Sequence, residues 1–253
     1  MQEAKEEQLL INRFKELGAT AYYKGIFTYT DFLNLYEISI FHSIKKDFGK
    51  LLYESYGGYE GAERQVFFLK ANEMEFNYND YISCILIEPL NKRFSDELTH
   101  RDFLGSILGL GLERSKIGDI LVRDNEAYCF CFTNISEFII DNLNKVRRTS
   151  VSCSLIDTKA KVFTPNFIEI RGIISSNRLD SIISVALQTS RSKVLKLIST
   201  GKIFINGKEV LSNSYYLKED DVFSIRGHGK YIYKGEKGQT RKGKLRILLL
   251  KYN

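Results

Sequence analysis

The residues best placed to do chemistry lie between Ser190 and Val210, in the run SRSKVLKLISTGKIFINGKEV. Arg191 and Ser192 follow Ser190, a helix-capping residue type, and Val194, Leu195, Leu197 and Ile198 recur at helical spacing. The first turn of such a helix has unpaired N–H groups and the positive end of the dipole, which together favour a phosphate. Lys193 and Lys196, three apart on the outer face, join Arg178, Lys202 and Lys208 to extend the site into a positive stripe. Its chemistry is electrostatic: it neutralises a sugar-phosphate backbone and reads shape rather than sequence, with a salt slope of about −0.7 to −0.9 per phosphate.

The elements that must hold these groups are legible around them. Arg178-Leu179-Asp180 opens an earlier helix, because Leu179, Ile182, Ile183, Ala186 and Leu187 occupy one apolar face. Gly201 supplies a stop, Ile203-Phe204-Ile205 a strand, Asn206-Gly207 a type I′ turn, and Lys208-Glu209-Val210 the return. A further strand runs from Val222 to Arg226. Beyond it, glycines at 227, 229, 235, 238 and 243 alternate with Lys230, Lys234, Lys237, Arg241, Lys242 and Lys244. That pattern predicts a flexible cationic segment, able to follow a phosphate chain closely, before the terminal strand LRILLLKY.

Charge is segregated in the same sense. Residues 172–253 carry 16 Lys and Arg against 6 Asp and Glu, whereas residues 1–171 carry 21 against 25. A polyanion partner follows, nucleic acid before membrane, and no DNA specificity is expected. Catalytic constellations are missing: His42, His100 and His228 are scattered, Cys129 and Cys131 form a lone C-x-C, and Asp102 and Asp119 stand apart. Gly105, Gly109 and Gly111 do not follow a strand into a helix, so they read as close packing and a helix end rather than a dinucleotide loop. No metal, no cofactor and no enzymatic activity are expected. The acidic start MQEAKEEQLLINRFKEL lacks a secretory pattern, and no apolar run reaches the ~18 to 20 residues of a membrane span, so the expected location is cytoplasmic.

Upstream, Leu10, Phe14 and Leu17 predict a helix stopped by Gly18, and a second helix capped by Thr30 or Asp31 runs to about Gly49. Three glycines in YGGYEGAER, Tyr56 to Arg64, predict a domain boundary. From Val66 the runs become β-rich, beginning with VFFLKA. The order from YISCILIEPL onward is strand, helix, strand, strand, helix, strand, a split βαβ order shared with the RRM, an RNA-binding module. In AYCFCF, Tyr128, Phe130 and Phe132 share one face; an RRM stacks bases there, and core packing is the competing reading. The fold class is therefore α+β, with a helical N-terminal domain (1–65), a central split-βαβ, RRM-like domain (66–172) and a C-terminal domain with a basic tail (173–253).

R-L-D, S-R-S-K, L-I-x-x-G-K-I-x-I-N-G-K-x-V and V-x-S-I-R-G-x-G-K-Y, within about residues 177–230, resemble the S-four domain, the αL motif of a small-subunit ribosomal protein. Glu219-Asp220-Asp221 replaces the usual E-G-D, leaving no glycine for the left-handed position of that turn. The remainder resembles the YlmH-type RNA-binding proteins through YGGYEGAER, LTHRDFLGSILGLGLERSKIGDILV and TRKGKLRILLLKY. This resemblance implies a central RNA-binding domain and work on the ribosome, with the large subunit and peptidyl-tRNA as partners during rescue of stalled synthesis. Structured ribosomal and transfer RNA are the expected ligands. The expected contact residues are Arg178, Arg191, Ser192, Lys193, Lys196, Lys202, Asn206, Lys208, Arg226, Lys230, Arg241, Lys242 and Lys244, with a secondary set of His100, Arg101, Arg114, Lys116, Tyr128 and Phe130. Two alternatives stay open: an RNA-modifying enzyme with an appended S-four domain, and an adaptor that tethers a protein to RNA.

Overall fold

The computed structural model describes residues 2–71, 77–157, 163 and 167–252. The chain is α+β and forms two compact units, residues 1–164 and 165–253.

The first unit opens with helix Gln2–Lys24, which runs through Gly18 instead of stopping there. Gly18 is a point of close approach: a Cβ on it would stand 2.8 Å from the Phe48 ring. Gly25, at φ +61°, makes the stop. Gly18→Ala should therefore lower the melting temperature in a thermal scan. Its helix-propensity gain of roughly 1 kcal/mol is offset by overpacking of about 1–3 kcal/mol.

The second helix, Leu35–Ser43, is capped by Asn34 in a capping box with Glu37, not by Thr30 or Asp31. Thr30 is otherwise engaged, because its hydroxyl accepts from the Phe67 amide. A short 3-10 turn, Lys45–Phe48, completes the segment before Gly49.

Val66–Lys70 does not start the central sheet. It is the middle strand of a three-stranded antiparallel sheet, between Thr28–Tyr29 and Leu52–Tyr56, so the N-terminal part is not purely helical. Burial on both faces explains the continuous apolar run. Phe67 packs with Phe14 and Phe41 beneath the helices, while Phe68 joins Phe32 and Phe132 on the other side.

The central region has the expected order: strand Ile82–Pro89, helix His100–Leu108, strands Ile117–Arg123 and Glu126–Phe132, helix Ser136–Asn142 and strand Thr149–Ile156. These strands pair antiparallel with the two outer helix-linked strands at the edges of the inner pair, and Lys145–Val146 adds a short rim beside Thr149–Ile156. Phe103, Ile107 and Ile139 from the helices, with Leu143 just past the second, cover Ile85, Ile87, Cys129 and Cys131 on one sheet face. Gly105 meets nothing at the position of a Cβ, so it is not the close-packing point expected of it.

In the second unit, Phe167–Ile174 precedes helices Leu179–Ala186 and Arg191–Ser199. A six-stranded sheet follows in the order Lys208–Glu209, Ile203–Ile205, Val222–Ile225, Gly229–Gln239, Leu245–Tyr252 and Phe167–Ile174. Asn206 (φ +46°) and Gly207 (φ +79°) make the expected turn, and Asp220 (φ +68°) holds the left-handed position without a glycine. The glycine-rich segment is not loose chain. It is a long strand that loses register on both sides of Glu236, paired with the terminal strand and closed by a turn at residues 240–243.

Candidate nucleic-acid interface

Both helices of the second unit bury one face against the sheet: Leu179, Ile182, Ile183, Val194 and Ile198 meet Ile203, Phe223, Tyr231 and Leu249 in a single core. Their starts are thereby brought together. Asp180, only 5% exposed, lies in the first turn of the earlier helix. Arg178 Nε donates to Asp180 Oδ1 at 3.2 Å, and Arg191 Nη2 approaches the same oxygen at 3.5 Å. Arg191 also donates to the Ser181 hydroxyl. A buried carboxylate needs such partners, since an unpaired one would be strongly destabilising. Two guanidiniums at the starts of different helices are thus held side by side with much of each side chain still exposed, 35% for Arg178 and 52% for Arg191.

The two helix starts are not equivalent. At the first, Leu179 N donates to Tyr215 O (2.9 Å) and Asp180 N to Asn213 O (3.3 Å), so those amides are already taken. At the second, no side chain caps the helix, and Ser190 Oγ lies 3.0 Å from Ser192 Oγ. Ser192, Lys193 and Lys196 are exposed on the side away from Val194 and Ile198. An anion placed there meets first-turn amides, a hydroxyl and the paired arginines.

The remaining cations do not continue one stripe. Lys202 and Arg226 are joined by the Arg226 N to Lys202 O bond (2.9 Å), and strand alternation sets them on the sheet face opposite the helices. Arg226 lies 4.7 Å from the Phe204 ring centroid and Lys230 5.8 Å from that of Tyr252, on that same outer face. Lys208 is exposed on the edge strand, while Arg241, Lys242 and Lys244 cluster at the tip of the terminal hairpin. Asn206 is structural: its amide donates to Asp221 (2.8 Å) and accepts from Val222 N (2.9 Å).

The secondary set is largely tied inward. Tyr128 and Phe130 are buried, with Phe130 beneath Tyr59 (5.0 Å between centroids) and Phe163 (5.3 Å), so neither ring can take a base. YGGYEGAER is the cover rather than a boundary. Tyr59 donates to Asp119 at 2.8 Å, and the amides of Glu63 and Arg64 donate to the same carboxylate at 2.7 and 3.1 Å. Burial pushes the Asp119 carboxyl up, against these three hydrogen bonds, which pull it down. Gly58, at φ +104°, sits where any side chain would run into the Phe130 ring.

Arg114 spends its guanidinium on the carbonyls of Ile117 and Gly118, and Lys116 pairs with Asp31 at 2.6 Å. His100 and Arg101 are exposed, but Asp102 accepts from Thr99 N (2.9 Å) and places a carboxylate at that helix start, where it repels phosphate. Sequence reasoning missed the role of Asp180, whose one signal was an acidic residue in a helix's first turn two positions after Arg178; Asp119, set aside as a lone carboxylate, is structural. Among the described residues no group of three His, Cys, Asp or Glu could hold a metal ion, and no helix is long and apolar enough to cross a membrane.

Comparison with known proteins places these features. Residues 78–160 match the family model described as "Putative RNA-binding domain in YlmH", and residues 177–223 match the S4 domain. The chain is 30% identical over 195 residues, 76% of its length and 74% of the relative's, to the ribosome-associated protein quality control protein P2 of Bacillus subtilis (strain 168). Over 56 residues, 22% of the chain, it is 39% identical to an RNA pseudouridine synthase of uncharacterised role, MG209, from Mycoplasma genitalium, and spans 18% of that protein. In fold it is similar to the cell division protein ylmH from Streptococcus pneumoniae, with TM-score 0.54 and 22% identity, over 62% of this chain and 95% of the other.

Proposed function

We propose that this chain works on the ribosome, because it belongs to the YlmH-type family of RNA-binding proteins with a C-terminal S-four domain. It docks structured ribosomal or transfer RNA through phosphate contacts at Arg178, Arg191, Ser192, Lys193 and Lys196. The large subunit carrying peptidyl-tRNA is its platform, in the rescue of stalled synthesis, and the cytoplasm its location. What supports the ribosomal part is the Bacillus subtilis relative, named as ribosome-associated and as a quality control protein. What supports the contact residues is the buried Asp180, which holds two arginines at the starts of separate helices beside an uncapped helix start.

The role is binding rather than catalysis. Likeness to the pseudouridine synthase is confined to 18% of that protein's length, so it extends to an appended module and not to the rest of the enzyme. Sedimenting the purified chain with separated ribosomal subunits tests the reading. It should travel with the large subunit at low salt and be released as salt is raised. Migration with the small subunit alone, with neither, or in a salt-insensitive manner defeats it.

A further inference from the structure

In the sheet of the second unit, alternation places one set of side chains beneath the helices and the other set on the opposite face. Register aligns that outer set across strands: Phe204 stands opposite Ser224, Ser224 opposite Lys230, and Tyr252 opposite Phe167. Lys230 over the Tyr252 ring completes the rung, and Tyr252 meets Phe167 edge to face at 4.9 Å. The next rung is aliphatic, with Val222 opposite Ile232 and Ile232 opposite Leu250, none of them fully buried.

Farther along the strands, a groove of about 590 Å³ is lined by Arg171, Ile173, Arg246 and Leu248 together with Lys237. Its volume is in the range of small-ligand sites, enough for a nucleotide. Ile173 in its wall is 56% exposed.

We propose that this outer face is a second RNA surface, which takes unpaired nucleotides by stacking while the helix starts hold the backbone of folded RNA. The proposal rests on the RNA-binding reading above and adds a site and a ligand class to it. Flat apolar and aromatic area interleaved with cations suits a strand of bases joined by phosphates, since rings and guanidinium planes both stack on bases. Charge decides against a neutral or cationic protein. Glu169 and Glu219 are engaged by Arg171 and Lys237, whereas Arg226 and Arg246 have no carboxylate partner among the described residues.

Fluorescence anisotropy of the full chain with a labelled ten-nucleotide oligouridine and, separately, with an RNA duplex tests it. Arg226→Glu/Arg246→Glu should weaken oligouridine binding about tenfold and leave the duplex within about twofold. Unchanged oligouridine affinity overturns the proposal and leaves the face to a protein. Crosslinking the native chain to 4-thiouridine in the same oligonucleotide provides a readout free of any folding defect. Adducts should fall on the peptides carrying Phe204 and Tyr252; adducts confined to helix 191–199 overturn it. Loss of duplex binding in Lys193→Glu/Lys196→Glu reports separately on the helix starts, so the two readings fail in different lanes.

Discussion

Lys193→Glu/Lys196→Glu should bind structured RNA at least about tenfold more weakly than the native chain while melting at the same temperature. Both ammonium groups are exposed on helix Arg191–Ser199 and lack an ion-pair partner among the described residues, so the fold does not depend on them. Four neutralised phosphates, at Arg178, Arg191, Lys193 and Lys196, give a log-log salt slope of about −2.8 to −3.6. Between about 50 and 200 mM salt the native affinity then falls roughly 50- to 150-fold, and the variant's slope is shallower by about 1.4 to 1.8. Filter binding across a salt series reads both quantities. An unchanged slope would mean that these lysines meet no phosphate.

Arg191 is unsuited to the same reversal, because a glutamate there faces the buried Asp180 and breaks its pairing, at a cost of about 3–5 kcal/mol. Asp180→Asn is the informative companion in that binding series. It adds one unit of positive charge to the domain, so bulk electrostatics alone predicts tighter binding. Loss of the carboxylate that aligns Arg178 and Arg191 predicts weaker binding, and weaker binding is the expected result.

Phe130→Ala should lower stability by about 3–5 kcal/mol, a drop in melting temperature of roughly 6 to 20 °C for a unit of this size. RNA affinity per folded molecule should not change. Were Phe130 a stacking platform, the pattern would reverse, with a small stability effect and a binding loss of about 1–3 kcal/mol. Its ring is wholly buried beneath Tyr59 and Phe163, and the cover is fastened through Asp119. Thermal melts and binding titrations on one preparation separate the two patterns.

Much of the second unit was legible because its signals are local. Apolar spacing in Leu179–Ala186 and Arg191–Ser199, the stop at Gly201 and the Asn206-Gly207 turn each depend on residues a few positions apart. The order of central strands and helices was legible for the same reason. Gly18 misled, since a glycine inside a helical pattern signals either an end or a close neighbour, and only Phe48, thirty residues on, says which. The glycines from 227 to 243 misled similarly, as positive φ serves a bulged strand as well as a flexible one.

Amino-acid order by itself determined that the C-terminal third is cationic and that it folds as two short helices and small strands. Tertiary structure alone decided which cations act together. Asp180 draws Arg178 and Arg191 to one point, while strand alternation turns Lys202, Arg226 and Lys230 to the other face. It also decided that the aromatic face of the central sheet is closed, because a loop more than fifty residues away lies over it. Spacing along the chain reports which side of an element a residue occupies; what covers that side is set by long-range burial, which no short window contains.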